Sequence, residues 1–272
     1  MKKQKVVTLI IGILVGVLTA FLLVSCSEEE FNPSLIRNFT IPTSNGATYA
    51  IEVALPEDYH SSAEKYSTVY VLDGEENFDF VATQCKEIAN RNSAQNVLVV
   101  SIGYGNDRSI DYTPTKVGAN TGGGAQFMEF IENELIPRIE QDFRAETSRS
   151  SRVMLGHSYG GLFGACVLAD NNNLFGNYLL LSPSIWFDNE VALLLEKQKR
   201  DINKDKPQLV FLGIGQAENS GRMQAPFEAF YQILHDHYTN IKLSKNCEKN
   251  LDHVGSKNPN IIKGLNYYFQ NR

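Results

Sequence analysis

The chain has 272 residues, a formal net charge of −6 and 43% hydrophobic residues, enough for one domain with a substantial core. An acidic chain without clusters of lysine and arginine is a poor binder of nucleic acid, so we exclude that class of function. The four cysteines follow no metal-binding spacing, and we expect neither a metal nor another cofactor.

Residues 1–25 are predicted to be a signal peptide that does not belong to the fold. Three lysines at positions 2, 3 and 5 precede 19 largely apolar residues at 6–24, the layout of a secretory signal. The ending Leu-Val-Ser-Cys at 23–26 resembles a bacterial lipobox, in which the thiol of Cys26 is lipidated after cleavage. Cleavage there would leave 247 residues with a formal charge of −9. An uncleaved anchor is the alternative, since a stretch of this length can just span a bilayer.

Residues 26–45 are predicted to be a lipidated acidic tether. Ser-Glu-Glu-Glu at 27–30 resembles the surface-export signal of Bacteroidetes lipoproteins, although a plain solvated tether would have the same composition. We therefore expect an exported protein that its lipid holds at a membrane, with the outer membrane and the cell surface as the expected location.

From residue 46 to residue 272 the chain alternates strand-like and helix-like segments. Residues 49–55 alternate and end at Pro56, which predicts an outer antiparallel strand. Apolar strands are predicted at 67–73, 96–102, 152–156, 177–182 and 208–214. Helices are predicted at 126–143, at 159–169, around 227–234 and at 259–269. This alternation predicts an α/β fold with a mainly parallel central sheet and helices on both faces.

The motif Gly-His-Ser-Tyr-Gly at 156–160 falls between a predicted strand and a predicted helix. G-x-S-x-G in that context is a nucleophile elbow, a sharp turn that exposes the serine hydroxyl above the carboxyl ends of the strands. A chance glycine-rich turn is the alternative, and the position between strand and helix argues against it. Ser158 is the predicted nucleophile, and the N–H of Tyr159 is a predicted oxyanion-hole donor.

A serine nucleophile needs a general base. After a nucleophile elbow of this kind the chain order is Ser, then the acid, then His, so the base should be a late histidine. His253 lies in a polar loop before the last predicted helix and is the predicted base. The other histidines are excluded by position: His60 precedes Ser158, His157 is expected to point away from the elbow, and His235 and His237 fall in a predicted helix.

The acid that orients the imidazole should follow the strand at 208–214. Gly-Gln-Ala-Glu at 215–218 supplies Glu218 there, with Asp188 and Asp252 as rivals. An ordinary surface glutamate in a loop is the alternative interpretation of Glu218.

Gly-His-Ser-Tyr-Gly-Gly-Leu-Phe at 156–163 resembles the elbow of the esterase D-like "putative esterase" family of α/β-hydrolases. Other similar segments are Tyr-Val-Leu-Asp-Gly-Glu at 70–75, Arg108 with Asp-Tyr-Thr-Pro at 111–114, and Ser-Pro-Ser-Ile-Trp at 182–186. The last of these is similar to the siderophore-esterase branch of the family. The resemblance covers about residues 48–270 and supports His253 as the base and Glu218 as the acid. Some similar siderophore esterases work with a Ser–His pair alone, without an acid.

The resemblance also implies further site residues. The second oxyanion donor is expected from the turn at 73–75, as the N–H of Glu75 or of its neighbour Gly74. Trp186, the only tryptophan, either stacks on the acyl group or is a core aromatic. Arg108 either binds an anionic substrate or pairs with Asp111.

These features predict hydrolysis of a carboxylic ester through an acyl-enzyme on Ser158, with siderophore-type or similar extracellular esters favoured. The alternatives are feruloyl or acetyl esters on polysaccharide, acyl transfer to an alcohol, and ligand binding without catalysis.

Besides Cys26, the chain has three cysteines, which allow at most one disulfide. Cys85, Cys166 and Cys247 are expected to be mainly small buried hydrophobes.

Overall fold

The computed structural model describes residues 32–43, 46–170 and 172–272. The predicted signal peptide, the lipidation site Cys26 and residues 27–31 of the predicted tether lie outside the described residues. In those three described ranges, no helix combines the length and the apolar character that crossing a membrane requires.

The described residues form eight strands in one sheet of order β1-β2-β4-β3-β5-β6-β7-β8. The strands are β1 Ile36–Pro42, β2 Thr48–Ala54, β3 Thr68–Val71, β4 Leu98–Ile102, β5 Arg152–His157, β6 Asn177–Leu181, β7 Gln208–Gly215 and β8 Ile241–Glu248. Neighbours from β4 to β8 pair in parallel, while β1 with β2 and β2 with β4 pair antiparallel. The predicted mainly parallel sheet is therefore confirmed.

Strand β1 corrects the boundary predicted at residues 45 and 46. It pairs along its whole length with β2, from Ile36 opposite Ala54 to Pro42 opposite Thr48. Phe39 and Ile41 also pack against the main hydrophobic cluster. The folded domain thus begins before residue 46, and β2 is antiparallel as predicted but does not lie at the edge. A half-exposed edge strand carries polar residues on its outer face, which is why this segment resembles a tether.

The described helices cover both faces of the sheet. They are α1 Gly74–Arg91, α2 Arg108–Asp111, α3 Gly124–Phe130, α4 Ile136–Asp142, α5 Tyr159–Asp170, α6 Phe187–Asn203, α7 Ala225–His237 and α8 Lys257–Asn271. Helices α1 and α8 bury their apolar side chains in one cluster, and α3 to α7 bury theirs in a second cluster on the opposite face. A π-helical turn over Ile131–Leu135 joins α3 to α4, so the helix predicted at 126–143 is continuous.

The sheet brings the predicted catalytic residues to one edge. Strands β5, β6 and β7 are parallel neighbours, with His157 opposite Leu181 and Leu181 opposite Gly213. Their carboxyl ends therefore lie side by side, and Ser158, Ser182 and Glu218 follow these three ends.

Candidate active site

Ser158 occupies a strained turn between β5 and α5. Its φ angle is +60°, in the left-handed region that side chains other than glycine rarely adopt. A Cβ at Gly156 would lie 2.5 Å from the backbone carbonyl of Gly160, so only glycine lets strand and helix approach this closely. The neighbouring strand holds the turn, because Ser158 N donates to Leu181 O at 2.9 Å. A conformation of this kind costs about 1–3 kcal/mol and persists only where the surroundings enforce it.

Glu218 and His253 form a hydrogen-bonded pair beside this turn. His253 Nδ1 lies 2.8 Å from Glu218 Oε2, and the carboxylate is 1% exposed while the imidazole is 37% exposed. A carboxylate only accepts, so Nδ1 carries the proton and Nε2 keeps the lone pair that a general base needs. Of the rival acids, Asp188 accepts from Thr115 Oγ1 and Asp252 accepts from the N–H of Gly255.

The Glu218 carboxylate is held in its ionised form by three donors. Oε1 accepts from Ser182 Oγ at 2.6 Å and from Gly215 N at 2.8 Å, while Oε2 accepts from His253. Burial raises the pKa of this carboxyl, but the hydrogen bonds from His253, Ser182 and Gly215 outweigh burial and hold its pKa below the usual 4.5. A buried anion at this position stabilises an imidazolium on His253.

His157 does not point away from the elbow as expected. Its Nε2 lies 2.9 Å from the backbone oxygen of His253, and the two imidazole rings are 4.6 Å apart. Burial first, and then the proximity of His253, lowers the pKa of His157 to about 4, so the ring is neutral at neutral pH. The neutral ring donates from Nε2, since the carbonyl oxygen only accepts. His157, the residue before the nucleophile, therefore binds the loop that carries the predicted base. Ser158 Oγ has no hydrogen-bond partner among the described residues.

Two helix N-termini meet next to Ser158. Tyr159 is the first residue of α5, and Gly74 and Glu75 are the first two of α1. The first N–H groups of a helix have no partner within it and favour negative charge. The start of α5 touches the turn before α1, since a Cβ on Gly160 would lie 3.3 Å from Asp73 Oδ2. The arrangement places the predicted oxyanion donors on two adjoining turns.

The turn before α1 is fixed by neighbouring side chains. Asp73 has a φ angle of +53°, and its N–H donates to the hydroxyl of Tyr112 at 2.9 Å, so that amide is not available to an oxyanion. The side chain of Glu75 accepts from Tyr104 N at 2.7 Å. The amides of Gly74 and Glu75 are therefore the ones this turn can offer.

Arg108 pairs with Asp73 and not with Asp111. Its Nε and Nη2 bind the two oxygens of the buried Asp73 carboxylate at 2.6 and 2.9 Å. Asp111 instead accepts from Tyr49 and Asn106. The bidentate pair holds the turn before α1, and Arg108 as a substrate-binding residue stays a prediction.

Trp186 lies beside the elbow, packed between an aromatic ring and a cation. Its ring is 6.3 Å from that of Tyr159, and the guanidinium of Arg222 lies 3.7 Å over its centroid. The indole Nε1 is buried and has no hydrogen-bond partner among the described residues. Arg222, four residues after the predicted acid, was not among the site residues predicted from the sequence.

The cysteines lie away from the site. Cys85 and Cys166 are buried as expected, but Cys247 is exposed, and all three are free thiols. The expectation was wrong for Cys247 because it lies near the end of β8, the strand at the edge of the sheet, where side chains are only partly covered. Nowhere in the described part of the chain do three histidine, cysteine or acidic side chains gather as a metal ion would require.

The fold is that of an α/β-hydrolase, and Ser158 occupies a nucleophile-elbow turn next to a His–Glu pair. A family model described as "Putative esterase" matches residues 43–254, which is more than half of the chain. The chain therefore belongs to the "Putative esterase" family, as the elbow and its companion segments indicated.

Several characterised relatives are similar to the chain. It is 32% identical to the siderophore triacetylfusarinine C esterase of Aspergillus fumigatus over 58% of each protein, so the match spans less than two thirds of that relative. It is 27% identical to the ferri-bacillibactin esterase BesA of Bacillus subtilis over 76% of this chain and 83% of that one. An IroE-like serine hydrolase from Shewanella oneidensis has a similar structure, with a TM-score of 0.78 and 27% identity over 86% of this chain and 80% of that one.

Proposed function

We propose that this protein hydrolyses carboxylic esters through an acyl-enzyme on Ser158. The observation that carries the proposal is the 2.8 Å bond between His253 Nδ1 and the buried Glu218, next to a serine in a strained elbow. That bond fixes the tautomer in which Nε2 can take a proton. The amides at the starts of α5 and α1 supply donors where an oxyanion would form.

The steps follow from these positions. Ser158 Oγ attacks the ester carbonyl carbon while His253 Nε2 takes the hydroxyl proton, and the negative charge forms on the carbonyl oxygen. The amide groups of Tyr159 and of Glu75 or Gly74 bind that oxygen. When the intermediate collapses, the bond between the former carbonyl carbon and the alkoxy oxygen breaks, and His253 gives its proton to that oxygen, which leaves as the alcohol. Water then attacks the acyl-enzyme by the same route and releases the acid and free Ser158.

Esters of the siderophore type are the substrate class that we propose. Relatives that match this chain are named as siderophore esterases, including the ferri-bacillibactin esterase that aligns with 83% of its length. The segment Ser-Pro-Ser-Ile-Trp at 182–186 lies at the elbow, since Ser184 N donates to Ser158 O at 3.1 Å.

The test is incubation of the purified protein with a cyclic triester siderophore, with and without iron, followed by separation of the products. Linear trimer, dimer and monomer should appear in sequence with wild type and be absent with Ser158→Ala. If wild type turns over 4-nitrophenyl acetate but leaves the triester intact, the esterase chemistry stands and the substrate class is wrong.

We further propose that the protein is exported and anchored by a lipid on Cys26. The lysine-rich start, the apolar stretch and Leu-Val-Ser-Cys at 23–26 support this proposal. Metabolic labelling with a palmitate analogue should mark the wild-type protein and not Cys26→Ala. Equal labelling of both proteins, or of neither, would contradict lipidation at this residue.

A further inference from the structure

Arg222 has no carboxylate partner within the described ranges, although it lies close to the catalytic residues. Its side chain is exposed on the π-helical turn Ser220–Gln224, which directly follows Glu218. Other arginines near the sheet, such as Arg108 and Arg152, each bind a carboxylate. Arg222 instead lies over an aromatic ring, with its guanidinium carbon 3.7 Å from the ring centroid of Trp186.

The two residues are held next to the nucleophile from both sides. Trp186 is two residues beyond Ser184, whose N–H donates to Ser158 O at 3.1 Å, and its ring packs 6.3 Å from that of Tyr159. On the other side, Gln224 Nε2 donates to the backbone oxygens of Gln216 and Glu218 at 2.7 and 2.9 Å. The turn that carries Arg222 is thereby fastened to the strand end that carries the catalytic acid.

We propose that Arg222, packed on Trp186, is a binding subsite for an anionic group of the substrate. This inference rests on the proposed esterase function and names a feature that the substrate must have. The guanidinium of Arg222 is planar and keeps its charge at every ordinary pH. Its in-plane N–H groups match the oxygens of a carboxylate or phenolate.

The stack explains why a single exposed arginine can discriminate between substrates. A free arginine side chain loses about 2 kcal/mol of rotamer entropy when it is fixed, but the contact with Trp186 already restricts this one. Trp186 acts as a positioning residue for Arg222.

The first test compares two esters that differ only in one charge on the acyl ring, 4-nitrophenyl benzoate and the mono-4-nitrophenyl ester of terephthalic acid. The kcat/KM ratio of anionic to neutral ester should fall about tenfold in Arg222→Gln, mainly through KM, as loss of one charge-assisted hydrogen bond predicts. Arg222→Lys, which keeps the charge without the planar stack, should give an intermediate ratio.

The matched control is Arg91→Gln, which removes one exposed arginine at the far end of the 18-residue helix α1. It should leave the ratio at the wild-type value. A wild-type ratio retained in Arg222→Gln, or an equal fall in Arg91→Gln, would overturn the subsite.

A second readout does not depend on turnover, because Trp186 is the only tryptophan. Terephthalate should change the tryptophan fluorescence of wild type, more weakly at high salt, and should bind at least several-fold more weakly to Arg222→Gln. If terephthalate binds in this way and neither ester is hydrolysed, the subsite stands and the esterase proposal fails. If both esters are hydrolysed and terephthalate binds wild type and Arg222→Gln equally, the subsite fails alone.

Discussion

Replacing Glu218 with glutamine should reverse the tautomer of His253. Oε1 accepts from the N–H of Gly215 at 2.8 Å and from Ser182 Oγ at 2.6 Å. A backbone N–H can only donate, so the glutamine oxygen must take this position and its NH2 must face His253 Nδ1. That nitrogen then has to accept, which leaves the proton on Nε2, where the base needs a lone pair.

The wrong tautomer in a triad of this kind lowers kcat by about 10⁴, which corresponds to about 5 kcal/mol in the activation free energy. We expect a fall of that order for Glu218→Gln in the turnover of 4-nitrophenyl acetate, with a circular dichroism spectrum like that of wild type. Glu228→Gln is the matched control, because Glu228 is an exposed glutamate paired with Lys245, and it should keep wild-type turnover. Turnover of Glu218→Gln within tenfold of wild type would refute the orienting role of Glu218 and favour a Ser–His pair.

Three further predictions concern residues around the triad. The pKa of His157 falls from 6.5 to about 4 on folding, so as the pH is lowered the unfolded chain takes up the proton first. The free energy of unfolding should therefore drop as the pH falls from 6.5 to about 4. Urea titrations of His157→Gln should lack this part of the drop. Gly156→Ala should destabilise the protein by several kcal/mol, because the new Cβ would overlap backbone atoms. Gly118→Ala is the control, since a Cβ there would have no atom within 4 Å, and it should change stability by less than about 0.5 kcal/mol. Thermal melts of the two variants that coincide would contradict this. Ser182→Ala should cost about 1.5–3 kcal/mol above pH 4.5 and less as the pH falls through the lowered pKa of Glu218, so a cost that does not vary with pH would be the contrary result.

The sequence was most informative where one pattern has one structural meaning. The apolar strands at 152–156, 177–182 and 208–214 appear as β5, β6 and β7, because the interior of a strand buried on both faces is mostly apolar. The elbow was equally readable, since its glycines are required by contacts such as that of Gly156 with Gly160. The chain order of the site residues then selected His253 and Glu218, which the structure brings into contact.

Edge strands were harder to predict. Strands β1 and β8 are half-exposed, and polar residues in Ile-Arg-Asn-Phe-Thr-Ile-Pro and Ile-Lys-Leu-Ser-Lys-Asn-Cys-Glu hide their alternation. Both therefore went unrecognised, and the first was assigned to the tether. Their pairing is decided by the neighbouring strand, which local sequence does not reveal.

Side-chain partners far apart in the chain were the other gap. Arg108 lies three residues from Asp111 in sequence but binds Asp73, 35 residues away. The contact of His157 with the His253 loop spans 96 residues. The stack of Arg222 on Trp186 likewise joins the segments that follow two neighbouring strands. Such contacts depend on strand order, which the pattern of apolar residues does not determine.

The central claim is that Ser158 is an activated nucleophile, and the most direct measurement is labelling of the purified protein with a fluorophosphonate, followed by intact mass and peptide mapping. We predict one adduct per chain on Ser158, no adduct in Ser158→Ala, and labelling slowed by about 10³ or more in His253→Ala. A folded wild-type protein that remains unlabelled, or an adduct on a serine other than Ser158, would contradict the claim.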